Sequence, residues 1–123
     1  MKKTIKVGSG ISFDVVSNGS TPIRYKNLFG EDLLTLLGSA TTNDGIDMSV
    51  ATDLGPRLAF IMAKQADKAD MNSLSFDMFM DWVEQFEALD LTNALEDIFS
   101  VYFGDDITSV DPKKKEKDKP KEN

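Results

Sequence analysis

Residues 76–103 constrain this chain most, because their apolar side chains are too many and too widely spread for one ordinary helical stripe. Ser73 or Ser75 can cap a helix that runs to Leu89. On that helix Phe76, Met78, Phe79, Met80, Trp82, Val83, Phe86 and Leu89 span roughly 200° of a wheel drawn at ~100° per residue, against a stripe nearer ~100° for a surface helix. A second helix over residues 92–103, ended by Gly104, repeats the pattern with Leu91, Leu95, Ile98, Phe99, Val101, Tyr102 and Phe103. Two such faces side by side are either enclosed from two directions by the rest of a small domain or left open to another chain. In the second case Met78, Trp82 and Leu89 on one flank, with Phe99, Tyr102 and Phe103 on the next helix, are the residues expected to touch a partner.

The elements that could enclose these faces come earlier. Residues 4–7 and 11–16 are rich in β-branched side chains and are separated by Gly8-Ser9-Gly10, which predicts two short strands. A third extended piece over residues 22–25 follows the Asn18-Gly19 turn signal, giving a small β-meander over residues 1–26 with Phe13, Val15 and Ile23 on its buried face. Asn18-Gly19-Ser20 also fits a glycosylation sequon, but the turn explains the same residues with a clearer mechanism.

The helical part spans residues 27–104. A first helix over residues 27–37 carries Leu28, Leu33, Leu34, Leu36 and Leu37 and stops at Gly38. Residues 39–52 read as a loop that packs Ile46, Met48 or Val50 inward. Thr52 or Asp53 can then cap a second helix reaching about Lys68, with Pro56 in its first turn and Leu54, Leu58, Ile61 and Met62 as its stripe. Phe60 lies off that stripe and joins the expected contact residues. The expected architecture is therefore α+β: about four helices, a small N-terminal β-meander, and a disordered tail over residues 105–123. In that tail, residues 111–123 hold six Lys, four acids and two Pro with no aliphatic side chain.

At 123 residues the chain has room for one domain over residues 1–104, whose own core gives a modest stability margin. A formal charge of −7 argues against nucleic acid, which is bound mostly through Lys and Arg, and favours a basic protein partner. No apolar run approaches the ~18 residues a membrane span needs, and the start Met1-Lys2-Lys3 is not followed by an apolar signal segment. A soluble, cytoplasmic protein is expected.

Catalysis is not expected either. The chain has neither His nor Cys, which removes the usual zinc ligands and the Ser-His and Cys-His nucleophile pairs. Carboxylate pairs such as Asp77 with Asp81, or Asp105 with Asp106, fall on a polar helix face or in the tail and read as solvated charge. Aligning Gly45 with the invariant glycine of a calcium loop puts Ala40 and Ala51 at the two essential ligand positions, so that motif fails. Gly8-Ser9-Gly10 fails as a dinucleotide fingerprint, because Phe13 stands at its third glycine. No metal, cofactor or catalytic residue is expected.

Three pieces of the sequence carry a family likeness across residues 1–104. They are the strand region leading into Ile23-Arg24-Tyr25-Lys26-Asn27, the helix Leu58-Ala59-Phe60-Ile61-Met62-Ala63-Lys64, and residues 76–86 with their Trp-Val-Glu-Gln-Phe core. In this order of features the chain resembles the tail assembly chaperones of siphophages and prophages of Gram-positive bacteria. The resemblance implies an α+β or mainly helical fold, self-association in the host cytoplasm, and no enzymatic activity. It implies two partners: a tape measure protein kept soluble by the chaperone, and a tail tube protein recruited by a longer, frameshifted form. Lys113-Lys114-Lys115 fits an A-rich slippery run in the gene, and a plain solubilising tail fits it too. The alternative is a small acidic adaptor or inhibitor that acts on a basic protein through its carboxylates.

Overall fold

Residues 58–63 are six consecutive helical residues, none more than 3% exposed. A helix buried on every side in this way must run through the middle of its domain. It belongs to the longest helix of a computed structural model of the chain, in which residues 2–42 and 45–104 are described. The elements in chain order are β1 (Lys2–Lys6), β2 (Ser12–Val16), α1 (Thr21–Phe29), α2 (Leu33–Ala40), β3 (Thr41–Thr42), β4 (Gly45–Ile46), α3 (Met48–Ala66), α4 (Phe76–Val83), α5 (Asp90–Asn93) and α6 (Leu95–Phe103). The fold is α+β, with β2 and helices α1, α2, α4, α5 and α6 all packed on α3.

β1 and β2 form an antiparallel hairpin in which Ile5 faces Phe13 and Lys3 faces Val15. Alternation puts Ile5, Val7 and Val15 into the core. The turn needs Gly10, whose φ of 94° suits a residue without Cβ. At the rim Lys3 reaches across to Asp97 on α6, at 3.3 Å.

The third expected strand is instead the start of α1. Asn18 accepts hydrogen bonds from the Ser20 amide (2.8 Å) and hydroxyl (2.6 Å), and Pro22 sits in the first turn, where its missing N–H costs nothing. Tyr25 consequently turns into the core, while Ile23 is 62% exposed and not part of a buried sheet face. The single helix expected over residues 27–37 is two helices. Gly30 ends α1 in a left-handed conformation, and Asp32 opens α2 by accepting from the Thr35 hydroxyl at 2.6 Å.

α3 also begins earlier than expected. Its cap is Asp47, whose carboxylate accepts from the Ser49 hydroxyl (2.7 Å) and amide (3.0 Å), bonds that hold this carboxyl below its ordinary range. Pro56 therefore lies inside the helix and leaves the Thr52 carbonyl without its usual donor. Of the residues expected to pack inward from a loop here, Val50 is half-buried and Met48 exposed, both on α3, and the Ile46 side chain lies outside the described residues. The tail expected over residues 105–123 lies outside them as well.

A polar clamp ties the α1–α2 junction to α3. Arg57 donates to Glu31 at 2.6 Å, the Tyr25 hydroxyl donates to the same oxygen at 3.4 Å, and the guanidinium lies 5.4 Å above the Phe29 ring. Burial first, and the Glu31 carboxylate second, push the Tyr25 phenol well above its ordinary value of 10.0. Above pH ~10 the unfolded chain releases this proton while the folded chain keeps it, so stability is intact below that pH and falls as pH rises past it. Chemical denaturation at pH 8 and pH 11 should show a steeper alkaline loss for the parent than for Tyr25→Phe. Equal losses would mean that Tyr25 does not titrate differently on folding.

Candidate interaction surface

α4 is held by rings. Its Phe79, Trp82 and Val83, followed by Phe86, recur at helical spacing on the inner side. Trp82 contacts Phe13, Phe60 and Phe86 with centroids 5.3, 5.6 and 4.9 Å away, and Phe79 contacts Phe29, Phe60 and Phe76 at 5.2, 5.5 and 5.6 Å. Tilted and edge-to-face pairs of this kind add to the stabilisation from area burial. Ser75 starts the helix by accepting from the Met78 amide at 3.2 Å. The helix stops at Val83, short of Leu89, and the chain then turns into α5. The turn is fixed by Asp90, a buried carboxylate that accepts from the Glu87 amide at 2.9 Å and the Ser9 hydroxyl at 2.6 Å.

This arrangement sorts the residues expected to touch a partner. Phe60 is fully buried at the junction of Phe79 and Trp82, and Phe99 is 1% exposed. Neither can meet another chain in this conformation, because α3 is enclosed on every side over residues 58–63 and α6 turns Leu95, Ile98, Phe99 and Val101 inward. Trp82 is half-buried in its ring contacts, and Tyr102 and Phe103 are half-buried and meet edge-to-face with centroids 5.3 Å apart. Partial burial raises the Tyr102 phenol above its ordinary range. Met78 at 36% and Leu89 at 65% are exposed.

The wide apolar arc thus has two outcomes. On α6 the domain covers nearly all of it. On α4 it does not, and Phe76 (51% exposed) and Met80 (38%) stand out beside Met78. Wheel geometry at ~100° per residue puts Phe76 and Met80 on one shoulder of the helix and Met78 on the other, with Asp77 and Asp81 on the ridge between them.

The charge carried by this helix and the residues that follow it in sequence, up to the tail, has one sign. After Lys68 the next basic residue in the sequence is Lys113, whereas Asp77, Asp81, Glu84 and Glu87 are all exposed. The cations recorded against the aromatic layer come from α3: Arg57, over Phe29 and paired with Glu31, and Lys64, 5.7 Å from the Phe60 centroid. Among the described residues no group of three or more carboxylates is placed to hold a metal ion. No helix among them is long and apolar enough to cross a membrane.

Phe76 and Met80 are missing from the residues expected to touch a partner, although both lie in the arc that motivates that expectation. Their signal was their offset from the Phe79-Trp82-Val83-Phe86 spacing, which identifies the inner side once α4 is known to be short. Compared with protein-family models, curated proteins and solved structures, the chain matches none of them.

Proposed function

We propose that this protein is a non-catalytic tail assembly chaperone of a siphophage or prophage, holding a tape measure protein in soluble form and associating with further copies of itself. The observation that carries the reading is the outer side of α4. Phe76, Met78 and Met80 remain exposed on a helix whose inner side is already sealed by rings, so their apolar surface is free for another chain. Thioether side chains adapt to varied apolar partners, as contact with successive segments of one long helical protein would require. Weak contacts repeated along such a chain reinforce one another through effective concentration. A longer form extended beyond residue 123 would recruit the tail tube protein. The acidic charge carried along α4 and the turn after it also favours the second reading, an acidic adaptor on a basic protein target.

Co-expression with a fragment of the tape measure protein encoded beside this gene separates the two. The fragment is expected in the soluble fraction with the parent protein, and in the pellet without it or with Met78→Ser combined with Met80→Ser. A fragment that is equally insoluble with and without the parent protein, or a gene with no very long tape measure gene as its neighbour, would sink the chaperone reading.

A further inference from the structure

We infer that the outer half of α4 docks a helix that is apolar along one side and carries Lys and Arg along the other. The inference rests on the preceding reading for the location of the surface and adds the chemistry of its occupant. The shoulders of α4 provide the apolar part: Phe76 with Met80 is an i, i+4 pair along the helix on one side, and exposed Met78 stands on the other. A partner helix lying against either shoulder can seat an apolar stripe there.

Charge selects which amphipathic helix fits. Asp77 and Asp81 form an i, i+4 pair and Asp81 and Glu84 an i, i+3 pair, all of one sign, with no basic residue on the element to relieve them. Asp81 and Glu84 also lie at the C-terminal end of α4, where the helix dipole favours cations and disfavours carboxylates. Each is locally unfavourable, and a cation brought by a partner offsets both effects. Glu87, in the following turn, extends the acidic border toward exposed Leu89. An acidic or neutral helix with the same apolar stripe would meet this border unpaired.

The test uses the full-length chain and two designed helical peptides with identical Leu positions, one bearing Lys and the other Glu at its polar positions. Binding is followed through the emission of Trp82, the only tryptophan, which is half-buried one helical turn from exposed Met78. The Lys peptide is expected to bind at least about tenfold more tightly than the Glu peptide at low salt, with the gap narrowing above ~0.15 M ionic strength. Asp77→Asn with Asp81→Asn should shrink that gap. Met78→Ser with Met80→Ser should weaken the Lys peptide at least about tenfold, while both variants keep the parent's helical circular dichroism. Equal affinity for the two peptides overturns the inference, as does failure of the Lys peptide to bind. The peptides contain nothing from a phage, so their failure leaves the co-expression result standing, and a failed co-expression leaves theirs standing.

Discussion

Phe60→Ala is expected to lower the stability of the folded protein by about 3–5 kcal/mol, the range for truncating a buried Phe. The ring is fully buried, meets Phe79 and Trp82 at 5.5 and 5.6 Å, and is crossed by the Lys64 ammonium on α3 itself. Removing it opens a cavity between α3 and α4, and the neighbouring rings, pinned by Phe13 and Phe29, have little room to collapse into it. For a domain of this size the loss corresponds to a fall in melting temperature of roughly 15–30 °C. Thermal unfolding followed by circular dichroism decides the matter. A change within ~0.5 kcal/mol, as expected for an exposed contact residue, would contradict the burial described above.

The second large effect is the coupling between Gly55 and Leu95, where α3 and the start of α6 approach most closely. A Cβ added at Gly55 would collide with the Leu95 Cδ2 methyl, and Leu95 is itself buried. Gly55→Ala should therefore destabilise by about 1–3 kcal/mol through overpacking, partly offset by the ~1 kcal/mol that Ala gains over Gly inside a helix. Leu95→Ala alone should cost about 2–5 kcal/mol. Combined, they should cost less than the sum, with an interaction energy of about 1–3 kcal/mol, because the new methyl then occupies space that Leu95 has vacated. Urea denaturation of the four proteins measures this directly. Strict additivity would mean that the two helices can move apart without cost.

Both predictions centre on α3, the element least legible in the sequence. Leu54, Leu58, Ile61 and Met62 read there as a one-sided stripe, and Phe60 as an outlier on the far side. Over residues 58–63 the helix is buried all round because β2 and the other helices surround it, so Ala59, Phe60 and Ala63 are core positions despite breaking the stripe. Period alone reports one face; enclosure depends on elements distant in sequence. The same error arises at Phe99, whose position in a wide arc resembles open surface although α6 packs against α3 and the sheet.

What the sequence by itself determined is local. The β1–β2 hairpin followed from two β-branched runs around a glycine-bearing turn, the start of α4 from Ser75, and the end of α6 from Gly104, because each signal acts within a few residues of the structure it creates. The boundary between β2 and α1 is ambiguous for the same local reason. Pro22 is compatible with an extended strand and with a first helical turn, and the helix is favoured by the Asn18–Ser20 hydrogen bonds before it together with the packing of Tyr25 into the core. The tertiary structure alone decided how the two wide apolar arcs are used. Residues 76–86 and 91–103 carry similar patterns, but α6 packs on both α3 and the hairpin, which cover most of its apolar side chains, while α4 packs its rings inward and leaves Phe76, Met78 and Met80 exposed. Burial is a property of the space around a side chain, and the exposed Phe76, Met78 and Met80 above their acidic ridge exist only because nothing in the described residues covers that side of α4.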